Sequence, residues 1–594
     1  MTILETIKKE IVEICVDIGF INEAEILDFK FDVSFIDESN SRFGDIATNI
    51  SLILTKKTGK NFKDIAEEIV RQININIEEK GEFLNIIESV EVAPNGFINI
   101  FLKKEYLSDE LARVSNLDFI ETKFTNKKVL VEHSAINLFK PFHIGHLMNN
   151  VIGESIVKMM RSTKADLKVM AFPSDISIGI AKAIFVLKNK PDLDFSDPNI
   201  IKILGDAYVE GVKIYDENEN LREEIVSIAR NLFEKNKETE DWKIFETSKK
   251  INIEYFEKIL AELGSHFDKF IYESEAGVKG EEIVKENMNL EGEGEVFQIG
   301  EGGAIVFDTK RKKNNESDET IKSVFINSEG HPTYEAKDLG LLALKYNYFD
   351  FDFNLFITDN EQVPHFEIVL EAARQLNEEW KSIVEKSTHI SHGRLNLQGQ
   401  RLSSRLGNVL TVEDTLQIVN TRVAERLSEK VKDLNDKDLN NLIKNISLSA
   451  LRVAILKSKP GLNIVFDLDT SISFEGATGP YLLYTYARAN SLLEKSEIKP
   501  ELNNNVSDSH LPLMKKVVEF ESLAKKAIEE IAPQLVIKYL FELTQAFNTF
   551  YGKVKIIDME NHDQTKLNLY LVESFAKVLK KGMNMIGIDE VERM

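Results

Sequence analysis

The hydrophobic pattern in the middle of the chain changes from that of a strand to that of a helix. Lys127 to Val131 (KKVLV) is a short apolar run typical of a buried strand, whereas Leu147 to Arg161 repeats apolar residues at helical spacing. The connection between them carries Pro141 and Gly145, two residue types common in tight connections. This order predicts the first crossover of a parallel sheet, with a functional site at the sheet's carboxyl edge.

Strands and helices continue to alternate further along the chain. Strands are predicted at Phe353 to Thr358 and at His389 to Leu395, with a helix from Glu367 to Leu376 between them. Residues 188–320 form a strongly charged insertion whose pattern is largely helical. We therefore predict an α/β domain over residues 116–435, built on a doubly wound, Rossmann-like parallel sheet.

The two ends of the chain have other patterns. Residues 1–115 combine helical spacing at Ile3 to Ile18 and Phe43 to Thr58 with strands around a turn between Val90 and Leu102, which predicts a small α+β domain. Residues 436–594 show long helical patterns without a strand signal. The pattern of residues 436–594 predicts an all-α helical bundle.

The composition is that of a globular chain with several domains. The chain has 594 residues, 43% of them hydrophobic and 29% charged, enough for roughly three or four domains. The single Cys15 excludes an internal disulfide, and no Cys/His cluster has zinc-site spacing. No apolar run approaches the roughly 18 residues of a membrane span, and the N-terminus has no signal-peptide core. We expect a cytoplasmic protein with no structural metal and no membrane segment.

The net charge does not by itself indicate a nucleic-acid partner. It is formally −24, whereas contacts with phosphate normally come from Lys and Arg. Local basic clusters nevertheless occur at Lys56 to Lys63 and at Lys577, Lys580 and Lys581. Because lysine is mostly a surface residue in any protein, these clusters leave the question open.

Two histidines follow the predicted strand of the first crossover. His143 and His146 are three residues apart, so their imidazoles should face one way at a helix N-terminus, where unpaired N–H groups favour an anion such as phosphate. Gly145 lies between them and would let a flat base or a ribose approach the backbone. An H-x-G-H pattern alone is a weak signal, since it arises by chance in on the order of 1 chain in 100.

A second segment, GQRLSSRLGNV at Gly399 to Val409, has the composition of a phosphate-binding loop. Arg401 and Arg405 surround Ser403 and Ser404, and cations with hydroxyl and backbone donors are what a departing pyrophosphate requires. A solvated basic loop would have the same composition. The two segments together favour nucleotide chemistry.

These segments resemble the HIGH and KMSKS signatures of class I aminoacyl-tRNA synthetases, and their surroundings resemble the arginyl-tRNA synthetase family over nearly the whole chain. The motifs that carry the resemblance are FGDIATN at Phe43 to Asn49, NGFINI at Asn95 to Ile100, the S-x-x-N-x-x-K-P-x-H-x-G-H run, PTYEAKD at Pro332 to Asp338, NEQVPHF at Asn360 to Phe366, ATGPYLLYTYARA at Ala477 to Ala489 and the terminal VERM.

The resemblance implies a two-step reaction. L-arginine and ATP would give arginyl-adenylate and pyrophosphate, and arginine would then pass to the 3′-terminal adenosine of tRNA(Arg), with Mg²⁺ bound through the nucleotide phosphates. The N-terminal domain would contact the outer corner of the tRNA, and the helical bundle would read the anticodon. From its pattern alone, the N-terminal domain could equally be a dimerisation or scaffold module. We expect a monomer, although the sequence does not fix the oligomeric state.

Site residues follow from the matched motifs. Catalysis would fall to Lys140, His143, His146 and Arg401. ATP would be bound by these four together with Gly145, Ser403 and Ser404. The residues implied to bind arginine are Glu132, Asn137, His143, Tyr334, Asp338 and Gln362, and those implied to bind tRNA are Tyr481, Tyr486 and Arg488. Glu132 and Asp338 would receive the guanidinium, whose planar fork requires converging carboxylates.

The chain departs from the family pattern in three places. Arg401 replaces the usual Lys of the second signature, with Lys140 supplying a cation before HIGH; Met148 replaces a common Arg; and PSDISIGIAK around Asp175 replaces GDWGTQ. These departures leave open a catalytically inert relative that binds tRNA or a protein. A nucleotidyltransferase acting on a small metabolite and a synthetase for another amino acid would also fit parts of the pattern. The intact site residues and the two flanking domains favour the arginyl function.

Overall fold

The computed structural model describes residues 2–26, 29–36, 43–78, 83–190, 192–288, 296–313, 316–397, 411–427 and 434–594. The chain divides into two compact units. The first comprises Met1–Thr122, Tyr481–Met585 and Asp589–Met594, and the second comprises Lys123–Pro480 and Ile586–Ile588. Among the described residues, no helix has the length and apolar character needed to cross a membrane.

The N-terminal part of the first unit contains an antiparallel sheet. Its strands are β1 Val33–Phe35, β2 Ile46–Thr48, β3 Ile87–Val92 and β4 Ile98–Leu102, in the order β1-β2-β4-β3. Its helices are α1 Ile3–Asp17, α2 Ile50–Thr58, α3 Phe62–Glu78, α4 Phe83–Ile86 and α5 Lys104–Ser115. The α+β prediction is confirmed. The predicted second helix begins later than expected, because β2 pairs with β4 and the chain turns into α2 only at Asn49.

The second unit contains the parallel sheet that the sequence predicts. The strands of the whole unit, which belong to more than one sheet, are β5 Lys128–Glu132, β6 Asp166–Ala171, β7 Lys269–Phe270, β8 Gln298–Ile299, β9 Ile305–Lys313, β10 Glu316–Ile326, β11 Phe353–Asp359, β12 Ser387–His392, β13 Leu395–Leu397 and β14 Ile464–Phe466. The order β12-β11-β5-β6-β7 forms one sheet, in which every neighbouring pair is parallel.

Helices cover this sheet and fill the insertion. They are α6 Ile144–Arg161, α7 Ile178–Lys188, α8 Ile200–Glu217, α9 Glu219–Phe233, α10 Glu240–Glu262, α11 Glu273–Glu286, α12 Tyr334–Tyr348, α13 Val363–Leu376, α14 Glu378–Glu385, α15 Val412–Leu427, α16 Asp436–Leu456 and α17 Leu468–Ser471. The predicted helical character of residues 188–320 is confirmed. The same segment also contributes β7, which pairs with β6 at the sheet edge.

The strand order places a crevice beside β5. The chain runs from β5 outward to β6 on one side, and later returns to β11 on the other side. The direction of winding therefore reverses at β5, and a crevice opens where the carboxyl ends of β5 and β11 separate. Glu132 ends β5 and Asp359 ends β11, so both lie at this edge.

Two strand predictions need correction. The strand predicted at His389 to Leu395 is interrupted after β12, because Gly393 lies against the backbone of Leu462, where a Cβ would come within 2.3 Å of the carbonyl oxygen. The expectation that no strand follows residue 435 is wrong, since β14 pairs in parallel with β13. A strand of three residues is too short to produce a period-two signal.

Two glycines set the position of α12 against α11. A Cβ at Gly340 would lie 2.1 Å from the Ala276 carbonyl oxygen, and one at Gly280 would lie 1.8 Å from that of Ala336. The two backbones can approach this closely only because both positions lack a side chain. This contact holds α12, which begins at Tyr334, over the crevice.

The first unit ends in helices α18 Gly479–Lys495, α19 Leu511–Glu529, α20 Pro533–Lys553 and α21 His562–Met585. Leu540, Leu543, Phe547 and Phe550 of α20 are buried, which confirms that this stripe is core. The basic cluster near residue 580 is engaged inside the unit, because Lys581 donates to the Ser115 carbonyl at 3.0 Å and Lys580 pairs with Glu590.

Candidate active site

A cavity of about 380 Å³ opens at the crevice beside β5. All six residues predicted to bind arginine line it: Glu132, Asn137, His143, Tyr334, Asp338 and Gln362. Gly145 and His146 line the same cavity. The structure thus brings together in one cavity residues that lie more than 200 positions apart in the chain.

His143 is the N-cap of α6, and its backbone and side chain fix both imidazoles. The Gly145 N–H donates to His143 Nδ1 at 3.1 Å, and the His143 N–H donates to His146 Nδ1 at 3.2 Å. A neutral imidazole whose Nδ1 accepts a hydrogen bond carries its proton on Nε2. Both histidines are therefore Nε2–H donors when neutral.

The environment keeps both histidines neutral. Burial, and then the nearby Lys140, lower the pKa of His143. Burial lowers the pKa of His146 well below its usual value, and His143 and Lys140 add to the effect. The rings stack with centroids 3.8 Å apart, which confirms that they face one way.

Gly145 has a second role beside the one predicted. A Cβ at this position would lie 3.0 Å from Cε1 of the His143 ring. The glycine therefore lets the ring fold over the first turn of α6, where it accepts the Gly145 N–H. With any other residue at this position, the His143 ring would have to shift by a few tenths of an ångström.

The other predicted phosphate-binding residues have different positions. Lys140 does not line the cavity, and its Nζ lies 5.1 Å from the centre of the Tyr208 ring. Arg401, Ser403 and Ser404 lie outside the described residues. The described chain resumes at Thr411, which forms an antiparallel bridge with His143, and the Val412 N–H donates to the Phe142 carbonyl at 2.7 Å.

Carboxylates dominate the charge of the cavity. Among the described residues, four of them line it, namely Glu132, Glu273, Asp338 and Asp359. Glu132 pairs with Lys345, and Glu273 with Lys337. Asp338 Oδ2 lies 2.5 Å from His365 Nε2. Asp359 accepts the Glu361 N–H at 2.9 Å. Since three cations face four carboxylates in this set, the cavity favours a cationic ligand.

His365 holds a positive charge beside Asp338. Its side chain is 16% exposed. Burial disfavours the charged imidazole, but the hydrogen bond to Asp338 and the proximity of Glu335 raise the pKa of His365 to about 9. The imidazolium donates to one oxygen of Asp338 and leaves the other oxygen for a ligand.

Asn149 ties α6 to the ends of two strands. Its Oδ1 accepts the Ser134 N–H at 2.6 Å just after β5, and its Nδ2 donates to the Ile357 carbonyl of β11 at 2.8 Å. The same amide nitrogen lies 3.1 Å from His392 Nε2 at the end of β12. One side chain therefore fixes the histidine-bearing helix to the crevice.

The divergent segment around Asp175 is structural at its centre. Asp175 is fully buried, accepts the Ser274 N–H at 2.9 Å and pairs with Lys249 at 2.6 Å. The carboxylate thus ties this loop to the start of α11 and to α10. Its neighbour Ser174 lines the cavity.

Three family models match the chain. "tRNA synthetases class I (R), catalytic domain" matches residues 111–468, "DALR anticodon binding domain" residues 482–594, and "Arginyl tRNA synthetase N terminal domain" residues 2–102. The first model alone covers more than half of the chain. The chain belongs to the arginyl family of class I tRNA synthetases. This family uses ATP and attaches arginine to tRNA(Arg), so the chain is an arginine–tRNA ligase by family.

Curated proteins named arginine–tRNA ligase are similar over almost the whole chain. The one from Fusobacterium nucleatum is 29% identical over 94% of each protein, and the one from Borreliella burgdorferi is 27% identical over 100% of each. Among solved structures, Thermus thermophilus arginyl-tRNA synthetase matches with a TM-score of 0.80 and the Plasmodium falciparum enzyme with 0.77, each at 20% identity over 100% of both chains. This likeness confirms the class I synthetase fold.

The region of the family's anticodon-binding domain contains a second cavity, of about 510 Å³, which we call the C-terminal cavity. The Arg488 guanidinium lies 5.1 Å from the Tyr484 ring centre and 5.0 Å from that of Tyr551. These two rings are 38% and 40% exposed, whereas Tyr486 is 7% exposed. Of the three predicted tRNA-binding residues, Arg488 lines the cavity, whereas Tyr481 and Tyr486 do not. The Tyr481 hydroxyl accepts a hydrogen bond from Asn548 at 2.7 Å.

Sequence reasoning missed several residues that shape this synthetase site. His365 lies within the NEQVPHF motif, which could have indicated that it belongs to the site of Asp338. Lys345 could have been found from helical spacing, because it lies on α12 seven residues after Asp338, about two helical turns. Tyr551 is distant in sequence from the tyrosines of α18, and nothing in its surroundings marked it.

The stability of this synthetase should depend on pH through His365. Its pKa of about 9 in the folded chain exceeds the unfolded value of about 6.5, so folding binds a proton. The stabilisation is fully present below about pH 6.5 and is lost as the pH rises through about 9. We expect the free energy of unfolding of the wild type, relative to His365→Gln, to fall by about 1–2 kcal/mol between pH 6.5 and 9.5, allowing for partial solvent screening. Urea unfolding of the wild type and of His365→Gln at several pH values measures this difference in the free energy of unfolding. A pH-independent difference would contradict the charged pair.

Proposed function

We propose that the cavity beside β5 activates L-arginine with ATP and then transfers it to tRNA(Arg). The observation that carries this proposal is the placement of a carboxylate-rich cavity against two neutral Nε2–H donors at a helix N-terminus. A cationic amino acid and a triphosphate need these two environments side by side.

Arginine would enter with its guanidinium toward α12. Asp338 is oriented by His365 through one oxygen and would accept the guanidinium with the other. Tyr334 is 67% exposed at the start of the same helix and would cover the substrate. Glu132, held by Lys345, would contribute negative potential. Asn137 and Gln362 would bind the α-amino and carboxylate groups.

Catalysis in the first step would consist of positioning and charge stabilisation. The arginine carboxylate attacks the α-phosphate of ATP in line, and pyrophosphate leaves. His143 and His146 would donate from Nε2 as negative charge develops, close to the Gly145 backbone, while Lys140, Arg401, Ser403 and Ser404 would bind the departing pyrophosphate. In the second step, the 2′-hydroxyl of the terminal adenosine attacks the activated carbonyl.

Mg²⁺ would enter this site with the nucleotide. Glu132, Glu273 and Asp338 each pair already with a cation, so the ion would be held through phosphate oxygens and water. It would neutralise charge on the phosphates. No dedicated set of protein ligands is required for that role.

The remaining assignments concern the whole chain. We propose an N-terminal tRNA-contacting domain over residues 1–115, a catalytic domain over 116–435 with its insertion at 188–320, and an anticodon-binding domain over 436–594. In the last, bases would stack on the exposed rings beside Arg488, and Tyr481 and Tyr486 would support that surface from behind. We further propose a monomer that acts in the cytoplasm.

Replacement of Asp338 tests the arginine site. Asp338→Asn should raise KM for arginine about 10- to 100-fold, because a charge-assisted bond to the guanidinium is lost, and should leave KM for ATP unchanged. Aminoacylation of tRNA(Arg) with labelled arginine measures both constants.

The matched control for this variant is Asp206→Asn, which removes an exposed carboxylate of α8. It should charge tRNA like the wild type. A wild-type protein that binds tRNA but charges it with no amino acid would overturn the proposed function in favour of an inert relative.

Replacement of Arg488 tests the C-terminal cavity. Arg488→Ala removes the cation between Tyr484 and Tyr551 and should weaken tRNA(Arg) binding about tenfold, the scale of one lost stacking contact. Filter binding measures this affinity. Lys538→Ala removes an equally charged but 73% exposed side chain of α20 and serves as control. Equal losses of tRNA(Arg) affinity in both variants would indicate that the cavity attracts tRNA by its charge and does not bind bases.

A further inference from the structure

One face of α10 contacts both sides of the active site. Asn252, Tyr255 and Phe256 are spaced at i, i+3 and i+4 on this helix of the insertion, so they share a face. Each contacts a different point in the segments that lie around His143.

Asn252 supports the residue before Lys140. Its Oδ1 accepts the Phe139 N–H at 3.2 Å, and its Nδ2 donates to the Ser248 carbonyl at 2.9 Å. Asn252 is 2% exposed, and Phe139 has a left-handed backbone with φ of 63°. A non-glycine residue in that region is strained and persists only where its surroundings hold it.

Phe256 supports the residue before His143. Its ring packs edge-on against Phe142 with centroids 5.8 Å apart, and both side chains are fully buried. Phe142 in turn stacks on His146 with centroids 5.1 Å apart. The position of the imidazoles therefore depends on a ring that α10 holds in place.

Tyr255 supports the start of α15, next to the residue that bridges to His143. Its hydroxyl donates to Glu413 Oε1 in the first turn of α15. Burial, and then the Glu413 carboxylate, raise the pKa of Tyr255, so the phenol remains a donor. Glu413 lies two residues after Thr411, which bridges to His143, and one after Val412, whose N–H donates to Phe142.

We infer that Asn252, Tyr255 and Phe256 of α10 are positioning residues that fix Lys140, His143 and Thr411 relative to one another. The helix acts as a brace that spans the two sides of the phosphate-binding region. Its kinetic consequence rests on the proposed function, because Lys140 and His143 are the groups proposed to contact the nucleotide. Misplacement of such groups by about 1 Å can lower the rate by about 10²-fold.

The bond between Tyr255 and Glu413 offers the cleanest test of the brace. Tyr255→Phe removes one hydroxyl and keeps the ring. It should lower kcat/KM for ATP about tenfold in arginine-dependent ATP–pyrophosphate exchange with bulk tRNA present, while KM for arginine stays within about twofold, because the carboxylates proposed to bind the guanidinium lie on β5 and α12, away from α10. Glu413→Gln keeps an acceptor oxygen for the phenol and should retain wild-type kinetics, whereas Glu413→Leu should behave like Tyr255→Phe.

The control for loss of a buried hydroxyl is Tyr539→Phe. Tyr539 is buried in the first unit, and its hydroxyl donates to the Lys516 carbonyl at 2.6 Å. This variant should lower the thermal midpoint and leave the exchange kinetics unchanged. If Tyr255→Phe raises the KM values for ATP and arginine equally, the side chain has only a general structural role and the inference is overturned.

Amide hydrogen exchange gives a readout that does not require activity. The Val412 N–H, bonded to the Phe142 carbonyl at 2.7 Å, should lose about tenfold of its protection in Tyr255→Phe and none in Tyr539→Phe. Unchanged protection of the Val412 N–H in Tyr255→Phe would overturn the inference that α10 positions this segment. If the wild type supports no arginine-dependent exchange with bulk tRNA present, the proposed function fails, and the protection of Val412 still decides whether α10 acts as a brace.

Discussion

The first turn of α6 is the constraint on which the site depends. An imidazole serves as the N-cap of this helix, and the His143 N–H in turn donates to the imidazole one turn later. An aspartate cap would satisfy the same backbone groups, but an ionised carboxylate only accepts hydrogen bonds and would not present a proton toward a ligand. Because Nδ1 of each ring is committed to the helix, Nε2 of each ring is committed to donate, and burial keeps the pair neutral.

The opposite wall of the cavity relies on paired charges. Glu132 is a buried carboxylate and Asp338 a partly buried one, and each is paired with a cation, Lys345 and His365 respectively. Desolvation offsets much of the attraction within such pairs, so their net contribution to stability is modest. Their value here is orientation, because an oxygen fixed by Lys345 or His365 leaves its partner oxygen directed and free for a second cation. A guanidinium fits that geometry better than the point charge of lysine.

Sequence reasoning predicted the parts whose cause is local. The strand at β5, the helix α6 and the shared orientation of the two imidazoles follow from hydrophobic period and helical spacing, and the structure confirms all three. The family resemblance brought Asp338 and Glu132 to one site. What could not be predicted depends on packing between distant segments: the break after β12 forced by Leu462, the pairing of β14, and the contacts of α10 with Phe142 and Glu413.

The central claim is that a carboxylate-rich cavity beside two neutral histidine donors activates arginine. ATP–pyrophosphate exchange tests it most directly, with arginine, lysine, glutamate and cysteine each supplied with and without bulk tRNA. The account predicts exchange with arginine but with none of the other three amino acids, and only when tRNA is present. Among the four, only a guanidinium fits the carboxylates held by Lys345 and His365. Comparable exchange with lysine, or none with any amino acid from a protein that still binds tRNA, would contradict it.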